Sequence, residues 1–115
     1  MATRKTSEPL WWGLFAAGGV VAAFLVPVHL LVHGLALPLG WIAADPEGLR
    51  AFARHPLVKL YLFVLIALPF FHWAHRFRFV LYDVGLHGGR ALIAVLCYGA
   101  AIAATVVTVG VLWRL

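Results

Sequence analysis

Acidic side chains are scarce in this chain, with four Asp and Glu against nine Lys and Arg in 115 residues. Charge of either sign is missing from three long runs, Pro9 to Ala44, Leu60 to His75 and Ala91 to Trp113. Charged residues make up 11% of the chain and hydrophobic ones 64%, where soluble domains run near a quarter and a half. That balance excludes a soluble enzyme, because one small core cannot bury so many apolar side chains and the remainder must face lipid or other helices. The single cysteine, Cys97, excludes an intrachain disulfide, and Val95, Leu96 and Tyr98 around it predict a buried, inert thiol. A catalytic carboxylate pair, a Ser/His/Asp set, a phosphate-cradling Gly loop and a Cys-based metal site are all missing. The sequence therefore offers no catalytic residue and no metal-ligand set, and any chemistry must come from a bound cofactor or another subunit.

The net charge of +5 does not point to nucleic acid, since the basic residues sit in short clusters between uncharged runs rather than along one face. Clusters of that kind flank membrane spans. A span needs about 20 apolar residues to cross a hydrocarbon core ~30 Å thick. The expected fold is all-α and integral to the membrane, one anchor domain over residues 1–115 with three transmembrane helices near 10–35, 56–83 and 90–113. Pro38 and Gly40 end the first helix, His55 and Pro56 start the second, and Gly85 followed by Gly88 and Gly89 makes the turn into the third. Lys59 snorkels from the first turns of helix two. Pro27 and Pro69 each remove a backbone donor and free the carbonyls of Ala23 and Leu65, so an irregularity is expected at both. Helix-spaced small residues, Gly13 with Ala17, Gly19 with Ala23 and Gly99 with Ala103, are expected to allow close helix packing and partner helices.

Met1 to Lys5 looks like the start of a signal peptide, but the following apolar stretch is too long and no small-residue cleavage site follows it. The first span is expected to be retained. Arg4, Lys5, Arg76, Arg78 and Arg90 fall on one side of the three spans, and Arg50, Arg54, Lys59 and Arg114 on the other. Five against four places the N-terminus in the cytoplasm and the C-terminus outside.

The densest polar constellation is His72 to Asp83. On a helix His72, Arg76, Phe79 and Asp83 share one stripe, with His75 adjacent. Trp11 and Trp12 begin helix one on the same side, where tryptophans also form interfacial belts. An indole donor, a fixed positive charge at Arg76 and a titratable imidazole at His75 converge at one level. A quinone headgroup needs donors to its carbonyl oxygens and a proton route, and this set supplies part of both. His29 and His33 invite a haem reading, but His29 lies about 26 Å along helix one from Trp12, whereas His72 and His75 lie near the Trp12 face. No two histidines on different helices share a depth, so a bis-His haem within this chain is not expected, while one shared with another subunit stays open. A transporter is disfavoured because no Asp or Glu lies inside a span.

The chain resembles the smaller hydrophobic anchor, the D subunit, of quinol:fumarate reductase over nearly its full length. The resemblance rests on Glu8-Pro9-Leu10-Trp11-Trp12-Gly13-Leu14-Phe15 before the first span, Pro27-Val28 within it and Leu37-Pro38-Leu39-Gly40 after it. It continues with Leu68-Pro69, His75-Arg76, Asp83, His87 and Thr105-Val106-Val107-Thr108. The resemblance implies a non-catalytic anchor bundled with a sister anchor, the C subunit, in the bacterial inner membrane. It also implies partnership with a flavoprotein subunit carrying FAD and an iron-sulfur subunit, and a menaquinol site at their junction for anaerobic fumarate reduction. Trp12 and Arg76 match the positions that help form that quinone site, Ala16 matches a small position against the ring, and His75 joins them. His72 and Asp83 are assigned to proton relay or support. The sequence departs from the family at Phe77 to Tyr82, where a His-rich stretch is common. His29, His33 and His72 also stand where apolar or thiol residues are expected, which keeps a haem-sharing succinate dehydrogenase anchor as the alternative.

Overall fold

The computed structural model describes residues 8–115, so the Arg4–Lys5 pair of the charge argument lies outside the described residues. Among these residues the chain is all-helical. Three helices are long and apolar enough to cross a membrane: the first span Pro9–Ala36, the second Pro56–Asp83 and the third Arg90–Arg114. A short helix, Pro46–Ala53, connects the first two.

The first span changes its winding along its length. An α-helix over Glu8–Val20 widens to a π-helix at Val21–Leu25, returns to α at Val26–His29 and widens again at Leu30–Ala36. Pro27 is the physical cause of the first widening. It has no N–H to give Ala23, and the preceding residue, Val26, donates to Val21 O, five residues back. The irregularity expected at Pro69 does not change the winding of the second span, which is one α-helix of 28 residues. One missing donor in so long a ladder leaves the bonds on either side to hold the pitch.

The ends follow their local chemistry. Gly40, at φ +73°, closes the first span: Trp41 N–H reaches Ala36 O at 2.9 Å and Gly40 N–H reaches Leu37 O at 3.1 Å. Gly85, at φ +107°, ends the second in the same way, with Leu86 N–H on Leu81 O and Gly85 N–H on Tyr82 O, both at 3.1 Å. These paired bonds satisfy carbonyls that would otherwise be orphaned, and the positive φ costs a glycine little. The connecting helix Pro46–Ala53 is not among the sequence expectations, which place no helix between residues 35 and 56. Its signal is nonetheless local, since Asp45 Oδ1 accepts from Gly48 N–H at 2.9 Å and Pro46 occupies the first turn. His55 Nδ1 accepts from Leu57 N–H at 3.2 Å and so caps the second span.

The second span lies between the other two, which pack against it on either side. Ala74 and Ala101 are fully buried where it meets the third span, with Cys97 beside them and Leu81, Ile93 and Tyr98 around the edge. Three small side chains let the backbones approach, and the cysteine is a packing residue as expected. Thr105 and Thr108 hydroxyls donate to the carbonyls of Ala101 and Ala104, at 2.8 and 2.7 Å, so neither is left unsatisfied in an apolar setting. Arg54 Nε ties the far end of the third span by donating to Leu115 O at 2.8 Å.

The close approach of the first and second spans uses Gly18 and Gly19, only the second of which the small-residue spacing marks. A Cβ on Gly18 would stand 2.5 Å from Leu68 O, and one on Gly19 would stand 2.8 Å from His72 Cε1. Gly13 and Gly99 have nothing within 4 Å, and Ala17, Ala23 and Ala103 are exposed. Small-residue spacing marks a helix face but not what covers it, and most of these faces look outward. Only 6% of the first span's most apolar stretch is buried within the chain, leaving its surface to lipid or to other helices.

Candidate functional site

Aromatic stacking builds the wall of the site at the start of the first span. The α-helical turn puts Phe15 beside Trp12, and their rings stack at 4.9 Å between centroids and 12° between planes. Phe15 then stacks on His72 of the second span at 4.4 Å, and His72 Nδ1 donates to Phe15 O at 2.9 Å. His72 thus pins the first span to the second against Gly18 and Gly19. Replacing it with Leu keeps the bulk but removes the donor, and a loss of about 1 kcal/mol of stability is expected. A thermal-denaturation comparison of the extracted protein checks this.

One helical turn further, His75 sits edge-on to both Phe15, at 4.6 Å, and Trp12, at 6.0 Å. Its Nδ1 shares a hydrogen bond of 3.0 Å with the hydroxyl of Tyr98, which reaches across from the third span. Phe79 closes the other side of the imidazole at 5.2 Å. Arg78 lies under this layer, with its guanidinium carbon 4.6 Å from the Phe79 ring centre and 5.2 Å from that of Tyr98. Its Nε is buried without a hydrogen-bond partner, so the ring faces supply its local electrostatic compensation.

Together these groups border an open cavity of about 350 Å³, lined by Trp12, Phe15, His75 and Arg76 and, further along the second span, by Phe79, Val80 and Asp83. Trp12 is 63% exposed and Arg76 is exposed, so both donors are free to meet a ligand or a partner subunit. The cavity has an aromatic floor, a cation and an imidazole on one side and a carboxylate at its outer end. Such a set has the chemistry to hold a flat, apolar ring bearing polar oxygens, with a carboxylate further out.

The sequence-derived residues divide on this geometry. Trp12, His75, Arg76 and Asp83 line the cavity. Ala16 is exposed and is not among the lining residues. His72, although on the stripe, turns to Phe15 O and stacks on the Phe15 ring instead of lining the cavity, because at its level the first span packs directly against it. Phe15, which lines the cavity, and Tyr98, which hydrogen-bonds His75 from behind it, are residues that sequence reasoning misses. Phe15 follows Trp12 at the spacing that places two side chains together on a helix, a signal the sequence does carry. Tyr98 comes from another span, and only its polar oxygen within an apolar helix hints at a task. His29 and His33 lie at the other end of the first two spans, beside Tyr61.

Residues 2–113 match the family model for the D subunit of fumarate reductase. Relatives that carry this name include one from Mycobacterium tuberculosis (strain ATCC 25618 / H37Rv), 53% identical over 102 residues, which cover 86% of this chain and 81% of the relative. Another, from Vibrio parahaemolyticus serotype O3:K6, is 39% identical over 101 residues, 85% of this chain and 80% of its own length. A third, from Aliivibrio fischeri (strain MJ11), is 38% identical over 111 residues, 92% of this chain and 90% of its own. A helical chain with three membrane-length helices and a match of this extent belongs to the family of fumarate reductase D subunits.

Proposed function

We propose that this chain is a non-catalytic membrane anchor of a quinol:fumarate reductase in the bacterial inner membrane, with its N-terminus in the cytoplasm. It fastens the flavoprotein and iron-sulfur subunits to the bilayer beside its sister anchor, the C subunit, and lends side chains to the oxidation of menaquinol. The observation that carries the quinol part is the cavity in which Trp12, His75, Arg76 and Asp83 meet on an aromatic floor. Family membership supports the anchor part.

Oxidation of a quinol releases two electrons and two protons, so a site must hold the ring oxygens, receive protons and sit within reach of an electron acceptor. The iron-sulfur subunit would be that acceptor, and the flavin of its partner would deliver the electrons to fumarate. Trp12 donates its indole N–H to one ring oxygen, and Arg76 stabilises the negative charge that grows on an oxygen as its proton leaves. His75 takes that proton and passes it by way of Asp83, at the outer end of the cavity, to water, and the second proton follows the same path once His75 is neutral again. Phe15 and Phe79 keep the imidazole edge-on and exclude water from the apolar part of the cavity.

Tyr98 is a positioning residue for this step. With His75 Nδ1–H donating to the Tyr98 oxygen, Nε2 is left as the lone pair that receives the proton on the substrate side. Tyr98→Phe removes one neutral hydrogen bond, about 1 kcal/mol, and should lower kcat for menaquinol oxidation about fivefold with little change in KM. Steady-state kinetics on assembled complex would decide this, and an unchanged kcat would reduce Tyr98 to a packing residue.

The whole reading is tested by tagging the C-terminus, extracting membranes in mild detergent and identifying the co-purifying proteins by mass spectrometry. A flavoprotein, an iron-sulfur protein and a second small anchor are expected. Recovery of the chain alone or as a homo-oligomer would overturn the anchor assignment.

A further inference from the structure

The connecting helix Pro46–Ala53 contributes nothing to the quinol cavity, yet it divides its faces more sharply than any span. At about 100° per residue, Leu49, Phe52 and Ala53 fall within one arc of roughly 100°, with Glu47 opposite and Arg50 on the flank. Ala53 is half-buried, and the helix touches the second span. Phe52, by contrast, is 64% exposed and Leu49 49%. Trp41 and Ile42, shortly before the helix, are exposed as well.

We propose that this helix lies in the headgroup layer of the bilayer, on the membrane face opposite the Trp12 cavity, with Trp41, Leu49 and Phe52 inserted among the upper acyl chains. Its place in the chain carries the argument. Only Arg54 and His55 separate Ala53 from Pro56, where the second span begins, so the helix ends within about 11 Å of that span's first residue. Arg54 Nε donates to Leu115 O, which ties the same end to the close of the third span. On the other side, Trp41 N–H is bonded to Ala36 O where the first span closes. Held to the ends of all three spans, the segment stays at the membrane surface.

The division of its faces fits that surface. Interfacial helices bury an apolar stripe with an aromatic residue at the acyl boundary and keep their charges toward water. Tryptophan favours the same level, where its ring is half in the apolar phase. Glu47 points away from the stripe, and Asp45 is engaged in capping Gly48 N–H. Arg50 on the flank lays its stem along the boundary and brings its guanidinium to a lipid phosphate.

A protein partner fits less well. A specific protein interface engages about 20–30 residues a side, whereas this eight-residue helix offers two large apolar side chains. That is too little to hold a partner and enough to seat a helix that the spans already keep at the bilayer.

The test uses the complex with the partners it carries, reconstituted into vesicles of phosphatidylcholine and phosphatidylglycerol. One lipid carries a diazirine near the headgroup end of its acyl chain, and labelled residues are read by peptide mass spectrometry. Parallel samples are footprinted from the water side with hydroxyl radicals. Leu49, Phe52 and Trp41 are expected to take several-fold more carbene label than Glu47 and to be protected from oxidation. In Phe52→Glu the label on Leu49 should fall several-fold, because a charge on the stripe lifts the helix toward water. Oxidation of Leu49 and Phe52 without carbene label would overturn the proposal by placing the stripe in water. Protection of both residues from both reagents would also overturn it, since a protein chain would then cover them. Neither readout involves quinol turnover or the identity of the partners, so this test succeeds or fails apart from the anchor reading.

Discussion

Arg76→Leu is expected to lower menaquinol oxidation about a hundredfold in complex that still assembles. Among the described residues no hydrogen bond or ion pair ties Arg76 to the rest of the chain, and it stands exposed at the cavity wall. Leucine keeps the apolar stem and removes only the charge, so the loss falls on the transition state, where negative charge collects on the ring oxygen. The effect should appear in kcat, with KM changing less. Trp12→Phe is milder, because the ring that stacks on Phe15 is retained and one neutral donor is lost. A several-fold fall is expected there, corresponding to about 1 kcal/mol. Quinol oxidation by membranes with matched complex content distinguishes the two. Wild-type rates in both variants would mean that the cavity is not where quinol is oxidised.

Gly18→Leu is expected to prevent accumulation of the folded chain. The contact partner of a new Cβ is Leu68 O, a backbone atom of the second span at 2.5 Å, and the next is His72 Cβ at 2.9 Å. Neither is the flexible end of a side chain, so the helices must separate. Separation also breaks the His72 bond to Phe15 O and the ring stack that places Trp12 over His75. Even Gly18→Ala should cost about 1–3 kcal/mol through overpacking. Gly99→Ala is the control, since a Cβ there meets nothing within 4 Å. Chain abundance in membranes, read by immunoblot, gives the answer: comparable levels of Gly18→Leu and wild type would show that the first two spans pack elsewhere.

Much of the architecture is legible in composition, and the reason lies in the solvent. A bilayer demands long uncharged helices with every backbone group satisfied, so three charge-free runs announce three spans before any packing is known. Their ends are written locally, in Gly40, in His55 with Pro56, and in Gly85, because capping involves residues within one turn of each other. The connecting helix at Pro46 is local too, and Asp45-Pro46-Glu47 read as a cap would reveal it.

The site is legible only in part. Trp12, His75 and Arg76 are polar or amphipathic groups at one membrane level, with Asp83 about 11 Å further along the same stripe, which helix rise and periodicity alone predict. Rise and periodicity do not say how one helix is rotated against the next. That rotation turns His72 into a strut to Phe15 O and leaves Ala16 outside the cavity wall. It also brings Tyr98 across from the third span.

By itself, then, the sequence determined that the chain is helical, has three helices long and apolar enough to cross a membrane, begins and ends them at particular glycines and prolines, and resembles a known anchor family. These follow from interactions that are short in sequence or shared by every apolar run. Only the tertiary structure decided that Gly18 rather than Gly13 carries the helix contact and that Tyr98 meets His75. It also set His29 and His33 with their Nδ1 atoms 3.4 Å apart and His29 against Tyr61. Those depend on interhelical rotation and on the change of winding around Pro27, which arise from side chains meeting across spans far apart in the chain.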